Sequence, residues 1–438
     1  MSRPVPKIVR ATVTPILISD PPLLNVLGVH QPYTPRCVVE LETDTGVTGV
    51  GETYGDTGYL AAARSLAAAV TGRPLTALNG LLDLAYEAAG LTGDTPETGA
   101  EFDPAGLRGR RTNEKLMRSV VSAFEVASLD ALGKTVDLPV HALLGGKVRD
   151  RVDYSGYLFY RWAEHPAADA PAAGLPHDDW GAALDPDGIV RQARRFADRY
   201  GFRSFKLKGG VFEPAQEIEA IRALAKAFPG HPLRLDPNGG WSVDTSVRVA
   251  EELGDLLEYM EDPTTGVDGM AAVHARTGAL MATNMCVTTF GEIREAFARN
   301  AVQVVLSDHH YWGGLHATRE LAAVCRVHDV ALSMHSNTHL GISLAAMTHV
   351  AAVVPNLTYA CDSHRPWQTE DVITEPHVFT GGALTVPDTP GLGVELDRDA
   401  LAALHERWLR LPEFRDRDDV AAMRRADPSW SQPPLPRW

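Results

Sequence analysis

"SFKLKGG", residues 204–210, decides how this chain is to be read. Lys206 and Lys208 stand two apart in a short strand, and residues i and i+2 of a strand point to the same face. Formal net charge is −15, so two ammonium groups aimed at one spot are a local construction in an acidic protein. Gly209 and Gly210 follow directly and leave room for close approach of backbone or ligand.

Seven more stretches share the shape of this one, apolar along their length and polar at the end. They are "VDYSGYLFY", "LRLDPNGG", "EYMEDP", "LMATNM", "VQVVLSD", "ALSMHS" and "TYACDSH". Helical stretches such as "AQEIEAIRALAKAF", "SVDTSVRVAEELG" and "HATRELAAVCRVHD" lie between them. The strand-end residues Lys208, Asp236, Glu261, Asn284, Asp308, His335 and Asp362 are spaced by 28, 25, 23, 24, 27 and 27 residues. A (β/α)8 barrel uses roughly 30 residues per unit and builds its active site at the C-terminal strand ends. The spacing therefore predicts an α/β fold, a (β/α)8-type modified TIM barrel, over residues 146–394.

The first 145 residues read differently. "KIVRATVTPILI" and "RCVVELETDTGVTGVGET" alternate, the second with a turn at Asp44-Thr45-Gly46, and point to an antiparallel hairpin. "SDPPLLNVLGVHQPYTP" has the length and the Pro and Gly content of a mobile flap. "YLAAARSLAAAVTG" and "TNEKLMRSVVSAFEVASLDALGKTV" are helical. The expectation is an N-terminal α+β capping domain, residues 1–145, to which the segment 395–438 returns.

Composition bounds the function. The chain has 438 residues, 45% of them hydrophobic and 22% charged, as expected of a globular protein of two domains. The negative charge argues against nucleic acid and acidic membrane surfaces as partners. Cys37, Cys286, Cys325 and Cys361 show no paired spacing and read as reduced thiols in a cytoplasmic protein. No signal-peptide pattern opens the sequence, and no run of about 18 apolar residues suggests a membrane span.

The strand ends carry the chemistry. Asp236, Glu261 and Asn284 close three successive strands, and parallel strands lie about 4.8 Å apart, so the side chains can meet on one ion. Two carboxylates and an amide oxygen suit Mg2+. Asp268 is a fallback ligand. Strand-end acids also cap the following helices, which is the plainer use of such residues. Two partly desolvated lysines depress each other's charge, so one of Lys206 and Lys208 can serve as a base while the other stays charged and stabilises negative charge. "SMHSNTHLGISLAAMTHV" places His339 between strand and helix, where Asp308 can fix its tautomer and make a second acid/base. His335 and His339 lack the companions of a zinc site. His349, in an apolar helical run, reads as structural. His309 and His310 read as rim residues.

The stretches "FKLKGG", "LDPNGGW", "MEDP", "ATNM", "LSDHHYW", "HSNTHLGISLAAMTHVAA" and "CDSHRPWQ" occur in an order that resembles the enolase superfamily, most of all its glucarate dehydratase branch. "NVLGVH", "GYLFY", "PGLGVELD" and "RDRDD" extend the resemblance over nearly the whole chain. It implies a Mg2+-dependent acid-sugar dehydratase. Lys208 or His339 would remove the proton α to a carboxylate, according to stereochemistry. Lys206 and Asn238 would hold the enediolate, and His339 would help the β-hydroxyl leave as water. His30, Tyr157, Ser336, Asn337, His364 and Arg417 would contact a sugar diacid. A homo-oligomer is expected of such barrels.

One stretch departs from the family pattern. Where relatives carry a short Thr-Phe-Asp-x-Arg-Thr-like segment, this chain has "AEFDPAGLRGRRT", with Glu101 in place of a substrate-facing threonine and Arg108, Arg110 and Arg111 beyond it. The loop after Glu261 is also short. These differences bear on the identity of the acid sugar. An epimerase of the same superfamily and a non-catalytic acid-sugar-binding protein are the competing readings.

Overall fold

A computed structural model describes residues 5–91, 112–166 and 178–438. The cap stretch with Glu101, Arg108, Arg110 and Arg111 lies outside the described residues. The chain opens with β1 (Ile8–Ser19), the two short strands β2 (Leu24–Asn25) and β3 (Gly28–Val29), then β4 (Tyr33–Thr43) and β5 (Thr48–Tyr54). β1, β4 and β5 form an antiparallel sheet. Its β4–β5 turn closes through Gly46 at φ 80°, a conformation that glycine adopts without strain.

Helices α1 (Thr57–Val70), α2 (Leu81–Ala89), α3 (Asn113–Val136) and α4 (Val140–Leu143) follow. α3 lies so close over β5 that a Cβ on Gly49 or Gly51 would collide with the helix backbone at Ala127 or Ala123. That contact fixes the height of the next residue on the strand, Glu52.

The barrel runs β6 (Arg151–Phe159), α5 (Pro186–Tyr200), β7 (Phe205–Lys208), α6 (Pro214–Ala227), β8 (Leu233–Asp236), α7 (Val243–Leu253), β9 (Leu257–Glu261) and α8 (Gly266–Thr277). It continues with β10 (Met281–Thr283), α9 (Phe290–Ala298), β11 (Val304–Ser307), α10 (His309–Trp312), α11 (Leu315–Val327), β12 (Ala331–Met334), α12 (Gly341–Val353) and β13 (Cys361–Ser363). The strands form one parallel sheet in the order β12-β11-β10-β9-β8-β7-β6-β13. Leu332 pairs in parallel with Leu357, just before β13, and nearly closes the barrel.

Local signals set the helix starts. Asp185 caps α5 ahead of Pro186, Ser242 caps α7, and Thr289 with Glu292 makes a reciprocal capping box on α9. After β14 (Ala383–Thr385), which pairs antiparallel with β6, the chain forms α13 (Arg398–Arg410) and α14 (Asp419–Ala426). α13 packs on β1 and α14 on β3. Among the described residues no helix is long and apolar enough to cross a membrane.

The stretch read as a mobile flap is packed instead. Leu23, Leu24, Val26, Leu27 and Val29 are all buried, and Asn25 Nδ2 donates to Asp419 Oδ2 at 2.8 Å. Its Pro and Gly content marks turns, but its five aliphatic side chains anchor those turns to the core.

Candidate active site

The pleat of β7 puts Lys206 and Lys208 inside the barrel mouth, where both are buried. Lys206 Nζ lies 2.6 Å from Glu261 Oε1, 2.7 Å from Asp362 Oδ2 and 3.2 Å from Asp236 Oδ2. Lys208 Nζ lies 2.9 Å from the same Asp236 oxygen. Burial works against the charge on both. On Lys206 it is outweighed by Asp362, Glu261 and Asp236, and the pKa rises well above the usual lysine value. On Lys208 burial prevails, with the Lys206 charge on its side against Asp236, and the pKa falls. The two lysines, which spacing alone leaves open, thus differ in the direction the resemblance implies.

Asp236, Glu261 and Asn284 come from the ends of β8, β9 and β10, and all are buried. Asn284 Oδ1 has no hydrogen-bond partner. Burial first, then the charge of Asp236, pushes Glu261 well above the carboxylate range, while Asp236 is held below it by the two lysines against its own desolvation. A buried all-oxygen set with an unused amide oxygen and an acid driven toward protonation is short of positive charge. These residues fit a hard divalent cation. Asp268 does not belong to the set. Its side chain is 80% exposed on α8 and pairs with Arg299.

Asp262 was not anticipated. It follows Glu261 in the left-handed region at φ 40°, accepts from Thr283 Oγ1 and, at 2.9 Å, from Asn284 N, and so fixes the end of β10. Burial lifts its pKa to about 7. Asn238 and Thr338 are also left-handed, at φ 50° and 53°. Non-glycine residues in that region cost about 1 kcal/mol or more each and gather at functional sites.

The histidine side differs from expectation. Asp308 and His339 do meet, Oδ2 to Nε2 at 3.4 Å, but neither nitrogen of His339 has a hydrogen-bond partner. Asp308 instead binds His310 Nδ1 at 2.9 Å through Oδ1 and His335 Nδ1 at 3.1 Å through Oδ2. His310 is therefore not a rim residue but a fully buried neighbour of the dyad. Burial raises the pKa of Asp308, but the surrounding histidines outweigh it and hold the carboxyl well below its usual range. Asp308, His310 and His339 place ligand atoms within 4.8 Å of one another. Imidazole N–H groups already occupy that carboxylate, and nitrogen donors suit Mg2+ less well than the oxygen atoms at the ends of β8–β10. His349 lies apart, buried in α12.

A cavity opens beside Lys208. Its lining includes His30, Tyr157, Ser336, Asn337, His364 and Arg417, six residues from distant parts of the chain, together with His335. Lys206, Asn238 and His339 are not among the lining residues; the His339 ring packs 4.8 Å from that of His310. Arg417 is buried, which excludes a solvated charge run. Its guanidinium is already bound by Asp419, Nε to Oδ1 and Nη2 to Oδ2, each at 3.1 Å. His30 Nδ1 stands 3.2 Å from Asp20.

Known proteins share this fold. Residues 11–145 match the mandelate racemase / muconate lactonizing enzyme N-terminal domain, and residues 188–400 match the enolase C-terminal domain-like family. The chain belongs to the enolase superfamily. It is 65% identical over 427 residues, 97% of each chain, to a probable glucarate dehydratase of Streptomyces coelicolor. Among solved structures it resembles an enolase from Mycobacterium smegmatis complexed with tartrate (53% identity, TM-score 0.91, 100% of both chains). It also resembles an enolase from Pseudomonas fluorescens with bound magnesium, potassium and tartrate (46% identity, TM-score 0.93, 100% of both chains).

Proposed function

We propose that the protein is a Mg2+-dependent acid-sugar dehydratase that converts D-glucarate or L-idarate to 5-dehydro-4-deoxy-D-glucarate. The observation that carries this reading is the placement of the two lysines in one buried barrel mouth, Lys206 on Glu261 and Asp362 and Lys208 on Asp236 and the cavity wall, with burial lowering the pKa of Lys208 while the acids raise that of Lys206. The 65% identical relative is named a probable glucarate dehydratase, and the M. smegmatis and P. fluorescens structures hold tartrate, itself a hydroxy diacid.

Asp236, Glu261 and Asn284 would hold the ion. Mg2+ bound there would offset negative charge at the substrate carboxylate. Lys208 removes the α-proton of one epimer, and His339 removes that of the other. The electron pair moves into an enediolate, which the Lys206 ammonium and the Asn238 amide hold. His339 gives a proton to the β-hydroxyl, which departs as water, and the enol tautomerises to the ketone. His30, Tyr157, Ser336, Asn337, His364 and Arg417 orient the diacid from the cavity wall. A cytoplasmic location and a homo-oligomeric state belong to the same reading.

The test is a panel of mono- and diacid sugars with purified protein and Mg2+, read as keto acid with semicarbazide. Product from glucarate or idarate, lost in EDTA and regained with Mg2+, is the expected result. Product from another acid sugar would keep the chemistry and overturn the substrate. Exchange of the α-proton in D2O without keto acid would make the protein an epimerase. Binding without turnover would make it a non-catalytic carrier.

A further inference from the structure

His339 has no hydrogen bond through its ring, so its place depends on its main chain and on ring packing. The residue before it, Thr338, is left-handed at φ 53°. The residue after it, Leu340, is the N-cap of α12, a helix of 13 residues with no side-chain cap of its own. Partners come from two sides: Asp371 accepts from Gly341 N at 3.0 Å, and the flanking N–H groups are taken by the other domain. Glu52 on β5 accepts from Leu340 N through Oε1 and from Ser343 N through Oε2, each at 3.0 Å. A buried helix start needs such a partner for its free N–H groups.

Glu52 is itself held. Arg36 on β4 donates to Oε1 from Nε at 2.8 Å and from Nη2 at 2.5 Å, and both side chains are 0% exposed. The main chain of Glu52 also abuts the cluster: its carbonyl oxygen lies 3.0 Å from His310 Nε2, which can accept from Ser343 Oγ at 3.1 Å while Nδ1 donates to Asp308. One residue of the small domain therefore holds the helix start that follows His339 and packs against the histidine that binds Asp308. Burial opposes charge on Glu52, but Arg36, the Leu340 N–H, His339 and His310 together bring its pKa below the usual value.

We propose that Glu52, braced by Arg36, is a positioning residue for the His339–Asp308 acid/base and couples that arm to the seating of the capping domain. It acts through His339 and does not line the cavity. Among the described residues the contacts of Lys206 and Lys208 are to barrel acids and to the Tyr157 ring. The proposal rests on the two-base reading above.

The experiment compares Glu52→Gln with wild type on two epimeric diacids in D2O, one deprotonated by Lys208 and one by His339. Expected is a loss of about 10–100-fold in α-proton exchange on the His339 side, the scale of a small misplacement of a catalytic group. Exchange on the Lys208 side should stay within about twofold, and KM should move less than kcat. Glu52→Asp, which keeps the charge, should fall between. Equal loss on both sides, or no loss, overturns the proposal. Amide hydrogen exchange at Leu340 and Ser343 tests the clamp without substrate: E52Q should speed it, and unchanged protection overturns the proposal. If E52Q fails to fold, the same two readings are made on Glu52→Asp. Wild type silent on both epimers, with faster amide exchange in E52Q, would instead sink the two-base reading and leave the clamp standing.

Discussion

The two arms of this site are built by opposite means. Lys206 and Lys208 project from the interior of a strand, and carboxylates within the barrel hold them by charge. His339 projects from a loop and makes no hydrogen bond with its ring; its carbonyl accepts from Gln368 Nε2 at 2.9 Å, and the helix start that follows it is held by Glu52 of another domain. A charged arm on a strand is set by composition and changes with any nearby charge. A loop arm is set by packing and changes with domain seating. On the two-base reading proposed above, one base is set by the barrel acids and the other by the seating of the cap.

The largest effect should come from the lysine arm. Lys208→Ala should lower keto-acid formation by about 10³-fold, within the range that general-base loss produces. Lys208→Arg should not rescue it, because guanidinium stays charged at any working pH. Retained α-proton exchange from both epimers in either variant would break the comparison by showing that His339 suffices alone.

Next in size is the partner of the other arm. Asp308→Asn keeps the shape of the side chain and removes the charge shared by His310, His335 and His339. Exchange on the His339 side should fall about 100-fold, with the Lys208 side nearly unchanged. A parallel fall on both sides would show that the arms are one unit. Smaller still is Arg417→Lys. Lysine cannot reproduce the two contacts to Asp419, so KM for a diacid should rise about tenfold with little change in kcat. Unchanged KM would take Arg417 out of substrate binding and leave it a brace for α14.

The same contrast explains what could be read from sequence. The lysine arm follows a local period of two, and the strand-end acids follow the repeat of the barrel, so spacing alone assembled Lys206, Lys208, Asp236, Glu261 and Asn284. The six cavity residues were named through resemblance, and the fold brings them to one wall. Glu52 and His310 left no such trace. They meet across 258 residues of chain, and no periodicity marks a contact of that kind. Asp262 was hidden by standing next to a stronger candidate. Asp268 was misplaced because the loop between β9 and α8 is short and the helix carries it to the surface. Residues 19–35 misled because loop composition and core anchors occur together in them.

The last effect is on stability rather than rate, lies outside both arms and tests whether the buried histidines near the barrel are all alike. His349 uses both nitrogens as a neutral ring: Nδ1 accepts from His141 N at 3.2 Å and Nε2 donates to Leu392 O at 3.1 Å. Protonation would remove that acceptor. Burial first, then the neighbouring His141 and His377 against the Leu392 carbonyl, lowers its pKa to about 4 from 6.5. Between these values the unfolded chain binds more protons than the folded one, so stability rises with pH across this window. The contribution is fully present above pH 6.5 and is lost as pH falls toward about 4, to a limit of about 3 kcal/mol. His349→Gln keeps one donor and one acceptor and cannot titrate. Urea midpoints at pH 7, 6, 5 and 4.5 should therefore show wild type losing stability relative to the variant at each step down. Parallel curves would mean that His349 accepts its proton without cost, and that the neutral ring seen here is not what holds α12 to the segment around Leu392.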